Sequence, residues 1–261
     1  MNEPADSKPS EIAFFIPSYN VERQLCDTVD TIRRAVSRAN LKNYQIIIGN
    51  DGSTDQTGEM ADQLARSDAR ISVIHNQVNR GMGATFIRAL EEARSHQILT
   101  VPGDNDLTED TIHALLLHRS EADMIVPYYL NREIRSRFRN GISEIYCLIF
   151  TLTFGVFLRY MAGSGIYPVE KLRAMKIKSR RVTIVPECNI KLILAGCTYF
   201  EVAGYAQTGE QGSTVVRLSS LVDVIKNFIR LCWEVFVSRK GEFGNKPKRI
   251  IPKISSPEGL V

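Results

Sequence analysis

Two aspartates one residue apart, Asp104 and Asp106, stand in the segment VPGDND. At that spacing in a turn, two carboxylates can share one hard cation, and a diphosphate can fill much of the remaining oxygen shell. Such a cation neutralises charge on a departing phosphate and makes it a better leaving group. Acids also gather in turns without any chemistry, so the pair needs company, and three clusters of similar character provide it. NDGSTD, residues 50–55, holds Gly52 for a tight turn and Thr54 or Asp55 for a helix cap, which leaves Asn50 and Asp51 without a local explanation. Asp51 is the base-reading candidate, since a carboxylate at a strand end accepts hydrogen bonds from the N–H groups of a base. Gly81 and Gly83, in NRGMG, let backbone approach a ribose or phosphate where a helix N-terminus favours anions. PSYN, residues 17–20, is the remaining cluster.

The elements that must position these clusters are legible in the first half of the chain. Short apolar runs rich in strand formers cover residues 12–16, 44–48, 71–74, 98–101 and 124–126. Helical patterns fill residues 22–39, 57–67, 83–95 and 109–119 between them. This alternation implies βαβ units and hence an α/β fold with a mostly parallel sheet. Ligands of such sheets bind beyond the carboxyl ends of the strands. Each polar cluster follows one of the first four runs, so all four are expected on one edge, as one site. A dinucleotide fold would carry GxGxxG after its first strand; PSYN stands there instead, which argues against an NAD enzyme.

Composition suits this reading. The 261 residues allow one large domain with a short appendage, and an apolar content of 44% supplies a core. The net charge of +4, from 33 basic and 29 acidic residues, is too mild to point to nucleic acid. Cys26, Cys147, Cys188, Cys197 and Cys232 are scattered singly, as reduced thiols of a cytoplasmic chain would be. MNEPADSKPS lacks the apolar core of a secretory signal, and residues 1–10 are expected to be disordered. Residues 11–217 are expected to form the main domain. Within it, IYCLIFTLTFGVFL at 145–158 is uncharged but shorter than the roughly 20 residues of a spanning helix. A buried helix, or one resting on a lipid surface, fits that length. Arg132, Arg135, Arg137 and Arg139 precede it, four arginines in eight residues, which favours a phosphate contact. Residues 186–194 read as a helix with Glu187 at its start, and residues 218–239 as an amphipathic helix. From 240 to 261 the chain is basic, rich in Lys, Pro, Gly and Ser, and is expected to be disordered.

Together, IPSYNVER, IIIGNDGSTDQT, NRGMGATFIRAL and VPGDNDLTED resemble the family-2 inverting glycosyltransferases of the GT-A fold. Within them the likeness is to the branch similar to dolichyl- or polyprenyl-phosphate mannosyltransferases. It runs from about Ile12 to Phe236 and is strong as far as Asp110. The resemblance implies a Rossmann-like mixed sheet flanked by helices. It implies transfer of a sugar, with inversion, from a GDP- or UDP-sugar to a polyprenyl or dolichyl phosphate or to a glycan hydroxyl. Pro17, Tyr19, Glu22 and Asp51 would line the nucleoside pocket, Gly81 and Gly83 would shape it, and Asp104 and Asp106 would coordinate Mg2+ or Mn2+. RNGISEIY would lead into an acceptor-side helix, with Arg139 meeting phosphate. Glu187 would stand near the acceptor and act as general base toward a sugar hydroxyl; a lipid phosphate is already anionic and needs none. Peripheral contact with the cytoplasmic face of a membrane would run through residues 218–237 and 145–158, aided by the basic tail.

Several positions depart from the family's pattern. Asn50 precedes Asp51 where two aspartates are usual, and Thr108 stands where lipid-phosphate mannosyltransferases often carry Gln. QTGEQGS, residues 207–213, lacks the arginine of their R-x-x-G-x-S loop. Tyr128 and Tyr129 follow the fifth strand where an arginine is expected, with Arg132 as a nearby substitute. Two alternatives stay open, a nucleotidyltransferase, which could use a similar sheet and metal, and a non-catalytic nucleotide-sugar binder, suggested by the departures near Asn50 and Gln207. The first would want a Gly-rich, basic loop after the first strand, which PSYN is not.

Overall fold

The computed structural model of the protein describes residues 10–134, 136–181, 183–207 and 218–251. The first half alternates as its sequence predicts: β1 (Ser10–Ser18), α1 (Leu25–Arg38), β2 (Tyr44–Asn50), α2 (Thr57–Ser67), β3 (Ile71–His75), α3 (Met82–Glu92), β4 (Ser95–Thr100), α4 (Glu109–Leu117) and β5 (Met124–Tyr129). The second half adds α5 (Arg137–Phe154), β6 (Ile166–Pro168), α6 (Val169–Ala174), α7 (Ile184–Leu194), β7 (Thr198–Gly204), α8 (Leu218–Trp233) and β8 (Lys248–Arg249). Among the described residues one sheet holds these eight strands in the order β3-β2-β1-β4-β6-β5-β7-β8. β6 is antiparallel to both β4 and β5, and the other pairings are parallel.

Parallel strands covered on both faces read as continuous apolar runs, because each alternate side chain meets a helix layer. In β1 and β2, Phe15 and Ile47 face the layer that holds Phe86 and Leu90 of α3 and Ile184 and Cys188 of α7. Phe14, Ile46 and Ile48 face the opposite layer, where Leu25, Val29 and Ile32 of α1 meet Ile112 and Leu115 of α4. The apolar spacing of α1 therefore forms one buried stripe. Side chains cap the starts of two helices: Thr108 Oγ1 accepts from Thr111 N at α4, and Ser136 Oγ from Arg139 N at α5. Gly155 ends α5 at φ +67, the left-handed conformation that favours glycine at a C-terminus.

The expected disordered start lies outside the described residues except for Ser10, which begins β1. The disordered tail expected from residue 240 does not match the structure as far as Ile251. Phe243 is buried, Asn245 N donates to Leu194 O (3.1 Å), Ile250 N to Tyr199 O (2.8 Å), and β8 pairs in parallel with β7. Composition misled there because one aromatic anchor and the open edge of β7 suffice to capture a polar segment. The expected buried helix at 145–158 is also only partly so. α5 buries Phe150 and Phe154 but leaves Ile142, Ile145, Leu148, Ile149 and Leu152 exposed.

Candidate active site

Because β5 and β7 run in the same sense as β1 to β4, the carboxyl ends of all six strands lie on one edge. The register sets Ser18, Asn50 and His75 side by side there. The loops beyond are stitched together. Asn20 N donates to Ser53 Oγ (3.1 Å), Thr54 N to Asn20 Oδ1 (2.9 Å) and Val21 N to Thr57 Oγ1 (2.8 Å). Glu22, expected to line the nucleoside pocket, accepts from Gln56 N (2.9 Å) while its own N–H meets Asp55 Oδ2 (3.3 Å). Pro17 lends its carbonyl to Gly103 N (3.3 Å), and Tyr19 is half exposed beside it.

Asp51 is 5% exposed, and both its oxygens are taken. Oδ1 accepts from Asn76 Nδ2 (2.7 Å), Arg80 N (2.9 Å) and Thr85 Oγ1 (3.2 Å), and Oδ2 from Gly81 N (2.7 Å). The carboxylate expected to read a base anchors the loop between β3 and α3 through these bonds. Asn76 and Thr85 escaped the sequence reading, although Asn76 directly follows β3 and so occupies a strand end like the other clusters.

The acidic turn is built tightly. Thr28 Oγ1 donates to Gly103 O (3.1 Å), Asn105 adopts φ +57, and Asp106 N donates to Asp104 Oδ1 (3.3 Å). Gln207 N donates to Asp106 O (2.7 Å), which ties the segment after β7 to this turn; the rest of QTGEQGS lies outside the described residues. Both carboxylates are half-buried, and between them the Asn105 side-chain oxygen is buried with no hydrogen-bond partner. An all-oxygen donor set of this kind fits a hard cation such as Mg2+ or Mn2+, leaving coordination positions for a diphosphate and water.

Gly81 and Gly83 are glycines for a different reason from the one expected. A Cβ on Gly81, which has φ +89, would lie 2.4 Å from Arg180 O, and one on Gly83 2.3 Å from Ser179 O. The space they open is filled by residues 179–181 of the second half, with Gly83 N donating to Arg180 O (2.8 Å). No pattern within NRGMG could announce so distant a partner. Gly83→Ala is expected to destabilise the fold by about 1–3 kcal/mol, the usual cost of overpacking, as read by denaturant unfolding.

Arg139 sits half-buried in the first turn of α5, and Arg132 pairs with Glu144 (3.0 Å). Glu187 requires a correction. It is 2% exposed, Oε1 accepts from Lys191 Nζ (2.5 Å) and Lys178 N (3.0 Å), and Oε2 from Ser179 N (2.8 Å) and Arg230 Nη2 (3.1 Å). Burial opposes its ionised form, but the Lys191 ammonium and these hydrogen bonds outweigh it and hold the carboxyl below its ordinary range. A general base needs an accessible lone pair and a pKa near the working pH. Glu187 has neither.

A mostly parallel α/β sheet, with an acidic turn and polar strand ends gathered on its carboxyl edge, is a Rossmann-like arrangement, in which ligands bind beyond the carboxyl ends of the strands. Residues 13–161, more than half of the chain, match the model of glycosyl transferase family 2, and the chain belongs to that family. The Bacillus subtilis glycosyltransferase EpsJ is 36% identical over 94 residues, 36% of this chain and 26% of that one. A dolichyl-phosphate beta-glucosyltransferase of Trichomonas vaginalis is 26% identical over 145 residues, 51% of this chain and 44% of that one. The chain thus spans less than half the length of these curated relatives. Among solved structures, glucosyl-3-phosphoglycerate synthase from Mycobacterium tuberculosis, in complex with Mn2+, uridine diphosphate and phosphoglyceric acid, superposes with a TM-score of 0.66 at 16% identity, covering 85% of this chain and 78% of that one. Staphylococcus aureus TarS gives 0.56 at 14% identity, covering 89% and 68%. The shared fold is GT-A.

Proposed function

We propose that this chain transfers a sugar from a nucleoside-diphosphate sugar to a lipid phosphate, with Mg2+ or Mn2+ held by Asp104 and Asp106. The observation that carries the reading is the convergence of three other polar strand ends on the edge that holds the Asp104–Asp106 turn. The cation would neutralise charge on the leaving diphosphate. The chain's own residues supply the rest: Pro17 and Tyr19 frame the nucleoside, Asp51 fixes the loop of Gly81, and Arg139 meets phosphate. An acceptor oxygen forms its bond to the anomeric carbon opposite the diphosphate, the old C–O bond breaks, and its electron pair stays on the diphosphate oxygen. The sequestered Glu187 favours an acceptor that attacks without surrendering a proton, and a phosphate monoester does so. The test is a panel of UDP- and GDP-sugars crossed with polyprenyl phosphate and simple saccharides. Metal-dependent transfer to the lipid phosphate is expected; donor binding without turnover on any acceptor would sink the enzymatic reading.

A lipid acceptor implies a lipid surface. Among the described residues no helix is long and apolar enough to cross a membrane. α5 and α8 pack on each other through Phe150, Phe154 and Phe228, and both turn apolar side chains outward. Leu148 and Leu152 of α5, and Ile225, Ile229 and Trp233 of α8, are exposed, with exposed Arg137 and Lys226 on the same helices. This is the make-up of an interfacial surface that meets anionic lipid. Leu152→Glu combined with Ile229→Glu is expected to weaken binding to anionic liposomes at least about tenfold, measured by co-sedimentation; unaltered partition of the double variant would contradict this contact.

A further inference from the structure

Outside the strand-edge site, α7 and α8 enclose a cluster of five charged groups. Lys191 is fully buried and reaches Glu187 (2.5 Å), Glu234 (2.7 Å) and Lys176 O (2.8 Å). Glu234, just beyond α8, also meets Lys178 Nζ (2.7 Å). Arg230 Nη2 donates to both Glu187 Oε2 (3.1 Å) and Ser179 Oγ (3.0 Å). Asp223, Asn227, Arg230 and Glu234 recur at helical spacing and so share one face. Each of them meets the connection leading into α7: Asp223 pairs with Arg181 (3.2 Å), and Asn227 Nδ2 donates to Thr183 Oγ1 (2.9 Å). The exposed apolar residues of α8 follow a different stripe, Val222, Ile225, Ile229 and Trp233.

The far side of that connection is the nucleotide loop. Glu187 grips the N–H groups of Lys178 and Ser179, and the next carbonyl, that of Arg180, accepts from Gly83 N (2.8 Å) and Ala84 N (3.3 Å). Nothing separates the two backbones, since even a methyl group on Gly81 or Gly83 would collide with residues 179 and 180. A close-packed contact transmits displacement rather than absorbing it. We propose that Arg230 and Glu234 are positioning residues for the donor site: through residues 178–181 they set where Gly81 and Gly83 sit. This rests on the nucleotide-sugar reading above and adds a route by which the seating of α8 reaches the donor.

The test titrates UDP and GDP, each with Mn2+, into the intact chain and into Arg230→Met, Arg230→Lys and Glu234→Gln, and follows amide hydrogen exchange at Gly83 and Ala84. Arg230→Met is expected to weaken nucleotide binding about tenfold and to speed exchange at both amides. Glu234→Gln should shift both readouts in the same direction, and Arg230→Lys should recover most of the affinity. If Arg230→Met does not fold, Asp223→Ala, at the more exposed end of the stripe, carries the same two readouts. Folded variants with unchanged affinity and unchanged exchange at Gly83 and Ala84 would overturn the proposal. If the unmodified chain binds neither nucleotide, the nucleotide-sugar reading falls instead, while exchange still reports whether α8 governs the loop.

Discussion

Asp106→Ala is expected to cut the release of nucleoside diphosphate from a nucleotide sugar by about three orders of magnitude, the effect of losing roughly 4 kcal/mol of transition-state stabilisation. The fold should survive the change. Alanine retains the backbone N–H that donates to Asp104 Oδ1 and the carbonyl that accepts from Gln207 N, so the backbone of the turn is kept. Melting within a few degrees of the unmodified chain, together with lost turnover, would assign the carboxylate to chemistry. Undiminished turnover would remove Asp106 from the site.

The second large effect is expected at Asp51, and it differs in kind. Asp51→Ala strips the acceptor from Gly81 N, Arg80 N, Asn76 Nδ2 and Thr85 Oγ1. Hydrogen bonds to a charged acceptor contribute about 1.5–3 kcal/mol each, and donors left buried and unpaired add to the cost. A loss of roughly 3 kcal/mol or more in denaturant unfolding should therefore accompany the loss of nucleotide affinity. Asp51→Asn should fall in between, because it keeps the volume but turns one acceptor into a donor aimed at donors. A residue that only reads a base would behave otherwise, changing affinity or nucleotide preference at unaltered stability.

This contrast shows what local sequence carries and what it does not. The four clusters were legible because each follows an apolar run, and a parallel sheet brings the ends of such runs together whatever their residues are. Asp104 and Asp106 were legible as a turn after a strand, where Asp106 N donates to Asp104 Oδ1, but the bonds with Thr28, Pro17 and Gln207 that also hold this turn leave no mark in its spacing. Asp51, Gly81 and Gly83 were found by the same pattern, and Glu187 by its place at a helix start and the family resemblance, yet their contacts come from segments far away in the chain. Gly83 touches Ser179 and Arg180, and Glu187 touches Arg230; spacing within a motif holds no trace of either. β7 was overlooked because TYFEVAG mixes a charge into its apolar run, and β8 because two residues of a polar tail give no periodicity. The outward faces of α5 and α8 lay between: their apolar content was plain, but which side turns away from the sheet depends on Phe150, Phe154 and Phe228 meeting one another.

The most direct test of the acidic turn as a metal and diphosphate site is to titrate Mn2+ into the chain with and without UDP or GDP, reading free Mn2+ by electron paramagnetic resonance. Two carboxylates alone make an incomplete shell, so weak binding is expected without nucleotide and much tighter binding with it, both lost in the Asp104→Ala, Asp106→Ala double variant. Mn2+ binding that is indifferent to nucleotide and survives the double variant would contradict the account.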